Sequence, residues 1–161
     1  MTVSRRGFLR GQLQAARTDT RPPWAIGALA FEQACTRCNA CIEACPQSIL
    51  APGDGGFPRV DFSVAGCSFC GDCATACEPQ VLRHADGGPP WTLHVVIRDA
   101  CLPRQGIDCR VCGEACEADA IRFRPRLGGA PIPEVLTDAC TGCGGCVAPC
   151  PARAITMENL Q

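Results

Sequence analysis

The chain contains no lysine and no tyrosine, and its 161 residues include only two tryptophans, six phenylalanines, two methionines and two histidines. The large side chains that fill an ordinary core are therefore scarce. No segment approaches the roughly 18 consecutive apolar residues of a membrane-spanning helix. No nucleophile–base constellation, phosphate-cradling loop or nucleic-acid motif is visible, so turnover chemistry by the chain's own side chains is not expected. All 15 basic residues are arginine, a bias that a genome rich in G and C produces and that carries no functional conclusion.

What is abundant is cysteine, at 16 residues. The hydrophobic share of 47% includes them, and without them it falls to roughly 37%. A chain of this length makes one or two small domains. Domains of about 60 residues are marginal on apolar burial alone, and smaller ones usually lean on metals or disulfides. The cysteines must therefore belong to the core.

Their spacing says how. Motif one is Cys35-x2-Cys38-x2-Cys41-x3-Cys45-Pro46, motif two is Cys67-x2-Cys70-x2-Cys73-x3-Cys77, and motif four is Cys140-x2-Cys143-x2-Cys146-x3-Cys150-Pro151. This is the run by which bacterial ferredoxins hold 4Fe–4S clusters. Three cysteines at three-residue spacing let one loop curl around three irons. Small residues in the gaps (Ala40, Gly71, Gly142, Gly144 and Gly145) permit close approach, and backbone N–H groups can face the sulfurs. The fourth cysteine is expected to start a helix and reach the neighbouring cluster. Motif three departs, as Cys101-x7-Cys109-x2-Cys112-x3-Cys116, with its first gap enlarged by Leu102 to Gly106. All sixteen cysteines are used, which predicts four 4Fe–4S clusters.

Two blander readings compete. Structural zinc takes two cysteine knuckles separated by a dozen or more residues, and tetrahedral zinc has no use for this many crowded sulfurs. Stable disulfides belong to oxidising compartments. Cluster ligation accounts for the pattern better than either. The formal net charge of −1 treats every cysteine as neutral, whereas a holoprotein with sixteen thiolates and four oxidised cluster cores would carry roughly −9.

Beyond residue 30 the chain is a fourfold repeat with a period of about 33 residues. Short apolar stretches lead into the cysteine loops at Val60-Asp61-Phe62, Leu93 to Ile97 and Ile132 to Leu136. Apolar positions at Ile49-Leu50, Val81-Leu82, Ile121 and Ile155 follow them. The pairs Gly55-Gly56, Gly87-Gly88 and Gly128-Gly129 supply turns. The expected fold class is α+β: two tandem bacterial-ferredoxin-like (βαβ)2 units at 31–88 and 91–161, after a basic N-terminal arm at 1–30. Ligand crossing between neighbouring motifs would group Cys35, Cys38, Cys41 with Cys77, and Cys67, Cys70, Cys73 with Cys45. It would likewise group Cys101, Cys109, Cys112 with Cys150, and Cys140, Cys143, Cys146 with Cys116. Nesting motif one with four and two with three is the alternative; Pro89-Pro90 favours a junction between motifs two and three, and hence neighbours.

His84 and His94 read as surface or structural, since four cysteines complete each cluster. Arg37 and Arg110 stand beside ligand sulfurs, and either tune a cluster's potential or face solvent. In residues 1–21, five arginines meet one aspartate. Ser4-Arg5-Arg6-Gly7-Phe8-Leu9-Arg10 looks like a twin-arginine export motif, but Gln12, Gln14, Arg17, Asp19 and Arg21 interrupt the apolar segment that export needs. The later run from Trp24 to Phe31 follows Pro22-Pro23 and leads straight to the first cysteine.

The four-motif layout, the opening Ser4 to Gly11, Arg21-Pro22-Pro23-Trp24 and the odd third motif together resemble the NapF family, ferredoxin-type accessory proteins of periplasmic nitrate reductase systems. The likeness covers nearly the whole chain; the opening and Cys101-x7-Cys109 make it specific. It implies a cytoplasmic protein that binds the catalytic molybdenum subunit before export and assists maturation of its iron–sulfur cluster. Arg5, Arg6, Phe8, Leu9 and Arg10 would then be docking residues. A ferredoxin-type electron carrier, or an electron-transfer subunit of an oxidoreductase, is the alternative.

Overall fold

A hairpin flanked by two cysteine loops occurs twice along the chain. The computed structural model describes residues 19–84 and 89–159. Arg5, Arg6, Phe8, Leu9, Arg10 and the pair Gly87-Gly88 lie outside these residues.

The first hairpin pairs β1 (Leu50–Pro52) with β2 (Pro58–Val60), Leu50 facing Val60. It turns through Asp54–Gly56, where Gly55 and Gly56 take φ of 66° and 79°. That region costs an L side chain but not glycine. In the second unit β4 (Ile121–Arg126) pairs with β5 (Gly129–Val135) around Gly128, at φ 68°. Pro125, which has no N–H to give the ladder, coincides with the register shift between Arg124 and Arg126.

The second unit is closed by β3 (Leu93–Ile97) pairing antiparallel with β6 (Ile155–Asn159), from Leu93 opposite Asn159 to Ile97 opposite Ile155. Leu93, Val95 and Ile97 are buried and the residues between them are not, the period-two pattern of a strand with one face on the core. The first unit has the same closure in miniature. Ala25 bridges Leu82, the Ile26 N–H donates to the Val81 carbonyl at 3.0 Å, and the Arg83 N–H donates to the Trp24 carbonyl at 2.9 Å. Pro22-Pro23 before it and Gly27 after it leave no room for more.

The observed strands agree with the expected lead-in at Leu93 to Ile97 and shift the others. The pairing at Val60 runs back to Pro58, because Asp61 accepts the Ser63 N–H at 3.0 Å and turns the chain before Phe62 can extend it. The stretch expected at Ile132 to Leu136 begins earlier, at Gly129. Of residues 1–30, expected as an arm, the described part is packed against the first unit. The Thr20 carbonyl accepts the Val60 N–H at 2.8 Å. Arg21 pairs with Glu32 at 2.8 Å and lies 5.1 and 5.0 Å from the Phe31 and Phe57 ring centres. Helix α1 (Ala28–Ala34) follows, and its Phe31 is wholly buried. The apolar run from Trp24 to Phe31 thus serves as the closing strand and first helix of a folded unit. Among the described residues no helix is long and apolar enough to cross a membrane.

Two thin cores result. One gathers Phe31, Ile49, Leu50, Val60, Phe62, Val81, Leu82 and Leu93; the other gathers Val95, Ile97, Ile121, Ala154 and Ile155. Cys73 belongs to the first core, and Cys101 and Cys146 to the second. Thiol sulfur thus takes places that large hydrophobes hold in other small domains. With so few big side chains each counts heavily. Phe31→Ala is expected to destabilise the protein by about 3–5 kcal/mol, read as a lower denaturation midpoint of the anaerobic holoprotein.

Candidate functional site

The cysteine loops share a backbone device. In motifs one, two and four, the residues on either side of the second cysteine take left-handed conformations: Arg37 and Asn39, Phe69 and Gly71, Gly142 and Gly144. Alternating handedness swings successive N–H groups to one side and forms a concavity suited to negative charge. The Phe69 N–H donates to the Cys67 sulfur at 3.4 Å. A short helical turn then carries the third cysteine in motifs one to three: α2 (Ala40–Glu43) with Cys41, α3 (Asp72–Thr75) with Cys73, and α4 (Val111–Glu114) with Cys112. The expectation that the fourth cysteine starts a helix is corrected here. It follows the turn, because the left-handed residue just ahead of the third cysteine already starts the coil in motifs one and two.

A second device follows the fourth cysteine in all four motifs. The residue three positions on, Ser48, Gln80, Asp119 or Arg153, is left-handed with φ between 48° and 53°. Its N–H donates to the carbonyl of Cys45, Cys77, Cys116 or Cys150 at 3.0–3.1 Å. The next residue, Ile49, Val81, Ala120 or Ala154, is at most 3% exposed. The N–H groups of Ala120 and Ala154 also donate to the sulfurs of Cys116 and Cys150, at 3.2 and 3.4 Å. This turn sends the chain from the cysteine directly into the core, so the fourth thiol is anchored by burial. No residue type marks the position in the sequence, and it was not anticipated.

Four thiol-lined cavities result. Cys35, Cys38, Cys41 and Cys77 line one; Cys45, Cys67, Cys70 and Cys73 line the next. Cys116, Cys140, Cys143 and Cys146 line a third, and Cys101, Cys109, Cys112 and Cys150 the fourth. Three thiols of each set come from one motif and the fourth from its neighbour. The enlarged gap of motif three folds as a 3-10 turn, Leu102–Gln105, closed by Gly106 at φ 84°. Buried Pro103 on that turn and Pro133 of β5 both line the fourth cavity. Cys101 therefore reaches the same cavity as Cys109 and Cys112 despite the insertion.

All sixteen thiols are free, yet among the described residues no three Cys, His, Asp or Glu side chains converge closely enough to hold a single metal ion. Four thiols facing one apolar cavity, with backbone N–H groups turned towards sulfur, suit a polynuclear group that bridges them. Burial is the main force on five of the thiols, with neighbouring cysteines adding to it in each. Together they push Cys41, Cys67 and Cys112 up to about 11, and Cys73 and Cys146 up to about 12. Cys38 moves the other way, held below the usual thiol range chiefly by the Ala40 N–H. Ligation by such thiols is coupled to loss of their protons, which a metal makes favourable by replacing the charge.

The remaining candidates take structural places. His84 lies 4.5 Å from Trp24, ring centre to ring centre, and His94 sits on β3 opposite Glu158. Exposed Arg37 covers Phe57 at 4.5 Å, and exposed Arg110 covers Phe123 at 5.6 Å.

The 4Fe-4S dicluster domain matches the chain twice, over residues 34–81 and 107–157. Fold and thiol geometry together define a tandem dicluster ferredoxin. The ferredoxin-type protein NapF of Escherichia coli (strain K12) is 46% identical over 159 residues, covering 99% of this chain and 96% of that protein. NapF of Haemophilus influenzae is 43% identical, with 100% and 98% covered. The methylamine utilization ferredoxin-type protein MauM of Methylobacillus flagellatus is 33% identical, with 89% and 68% covered. The chain belongs to the NapF family of ferredoxin-type proteins. Cys101 lies outside the second domain match but lines the same cavity as Cys109, Cys112 and Cys150.

Backbone handedness in the loops is open to a direct test. Gly71 has φ 84°, so Gly71→Ala is expected to cost about 1–2 kcal/mol. The lowered denaturation midpoint measures it, with Gly27→Ala, which meets no atom within 4 Å, as the comparison.

Proposed function

We propose that the sixteen cysteines hold four 4Fe–4S clusters, one per cavity, in the crossed sets just described, and that the folded units span 31–88 and 91–161, with residues 19–30 joined to the first. The observation that carries this reading is the sorting of sixteen thiols into four cavities of four, with none left over. When bound, such clusters supply one-electron chemistry or iron and sulfide for transfer. The chain's own part is to wrap them, to point N–H groups at the sulfurs and to keep water from the buried side.

The role that fits the family is maturation. The protein acts in the cytoplasm on the catalytic molybdenum subunit of periplasmic nitrate reductase before export, and assists installation or maintenance of that subunit's 4Fe–4S cluster. Electron carriage is the second reading. It is favoured by the buried cysteine in three of the four sets (Cys73, Cys101 and Cys146), which suits clusters that stay in place. In either case the protein is a cluster carrier rather than an enzyme. Residues Arg5, Arg6, Phe8, Leu9 and Arg10 form the docking arm. Loss of subunit binding in an Arg5→Ala/Arg6→Ala protein is the expected result, and unchanged binding removes the arm from the proposal.

Three measurements bear on the rest. Anaerobically prepared protein should contain about sixteen iron and sixteen acid-labile sulfide per chain. Crossing is read from double variants: Cys45→Ser with Cys70→Ser removes one cluster, leaving about twelve irons, whereas Cys45→Ser with Cys38→Ser removes two and leaves about eight. Nested pairing would make the first combination lose two. Finally, incubating iron-labelled holoprotein with the cluster-free catalytic subunit should move label into the subunit. Electron transfer with no movement of iron would decide for the carrier.

A further inference from the structure

Motif four is the only motif with three glycines among its cysteines, and two of them, Gly144 and Gly145, meet residues of the other unit. Gly142 and Gly144 are buried and left-handed. A Cβ on Gly144 would run into the Phe62 ring of the first unit, whereas one on Gly142 would run into the Leu93 carbonyl and lie 2.8 Å from the Trp91 indole nitrogen, both within its own unit. At the centre a Cβ on Gly66 would lie 2.7 Å from the Gly145 Cα. Directly beside it, the Cys67 N–H donates to the Cys143 carbonyl at 2.7 Å. Trp91 meets Phe62 and Phe69 edge-on at 5.7 and 5.9 Å, so one ring braces loops of both units. Its indole N–H is buried without a hydrogen-bond partner among the described residues. Packing between two domains does not ordinarily need their metal-loop backbones to touch. Here the cysteine loops themselves form the contact, and Gly144 has no room for a side chain because Phe62 of the other unit lies against it.

We infer that Phe62 and Gly66, set against Gly144 and Gly145 and braced by Trp91, form a fixed junction that holds the motif-two loop against the motif-four loop and joins the four cysteine cavities into one row. The row begins at the cavity of Cys35, Cys38, Cys41 and Cys77 and passes to that of Cys45, Cys67, Cys70 and Cys73. It crosses the junction to the cavity of Cys116, Cys140, Cys143 and Cys146, and ends at that of Cys101, Cys109, Cys112 and Cys150. Sequence order is thereby broken, and motif three, with its enlarged loop, stands at an end. Arginines within the cysteine loops occur only at the two end cavities. This inference rests on the four-cluster reading and adds to it that the inner pair is held in contact by residues that ligate nothing.

The test uses the full-length anaerobic holoprotein, its iron counted first and every cluster then reduced by one electron with dithionite. Electron paramagnetic resonance reads magnetic interaction between clusters as line broadening and faster relaxation. Gly66→Ala, a methyl wedge at the junction, should lose part of that broadening at wild-type iron content. Trp91→Ala, which removes the brace without touching a cysteine loop, should do the same and decides the matter if Gly66→Ala fails to hold its iron. Gly27→Ala, outside every cysteine loop and with no atom within 4 Å of the added Cβ, should keep the wild-type spectrum. Spectra of Gly66→Ala and Trp91→Ala that superimpose on wild type at equal iron overturn the junction, and so does a Gly27→Ala change as large as that of Gly66→Ala. A wild-type protein without cluster iron would instead overturn the four-cluster reading on which the inference stands.

Discussion

Each cysteine cavity is completed by a thiol from a second motif, and that exchange governs how the chain folds. Cys45 leaves motif one to stand with Cys67, Cys70 and Cys73, while Cys77 returns to Cys35, Cys38 and Cys41. Neither cavity can close until both motifs are in place. Between the two motifs lies the hairpin of β1 and β2, so forming the hairpin is the same event as bringing the two loops together. The second unit repeats the arrangement with β4 and β5. A small domain with few aromatic residues thereby acquires contacts between distant parts of the chain that its apolar side chains alone would not secure.

The left-handed turn after the fourth cysteine is what makes the exchange geometrically sound. Ser48, Gln80, Asp119 and Arg153 have little in common, yet each adopts the same uncommon conformation and is followed by a pair of buried residues. Backbone strain of order 1 kcal/mol at a non-glycine position is tolerated because the next two side chains enter the core, where burial of an Ile or Leu side chain contributes about 1.5–3 kcal/mol. The thiol is thus fixed from its downstream side by hydrophobic burial and from its upstream side by a helical or turn segment.

Much of this was legible in the residues. The sixteen cysteines sort by spacing alone, while Pro89-Pro90 only tips the choice from nested towards neighbour crossing; the cavities group the thiols as neighbours. The strand at Leu93 to Ile97 announces itself by alternation. What the residues concealed depends on contacts across long distances. Trp24 to Phe31 looks like a leftover apolar run because its partners, Val81 to Arg83 and Phe57, lie tens of residues away. Phe62 reads as the end of a strand, and only the Asp61 turn, with Gly144 waiting opposite, explains its displacement. Motif-four glycines read as room for a cluster, yet Gly142 and Gly144 make room chiefly for Trp91, Leu93 and Phe62.

Placing motif three at the end of a row gives its irregularity a physical setting. An inner loop must fit against another loop, which is why motif four carries glycine where a side chain would collide. An end loop faces no such neighbour and can grow. Five additional residues between Cys101 and Cys109 are accommodated as a 3-10 turn whose Pro103 is buried while Arg104, Gln105, Gly106 and Ile107 are exposed. The opposite end is equally open: Arg37 and the thiol of Cys38 lie at the surface. The one departure from the shared cysteine spacing, in motif three, thus falls at an end of the row, where no neighbouring loop presses on it.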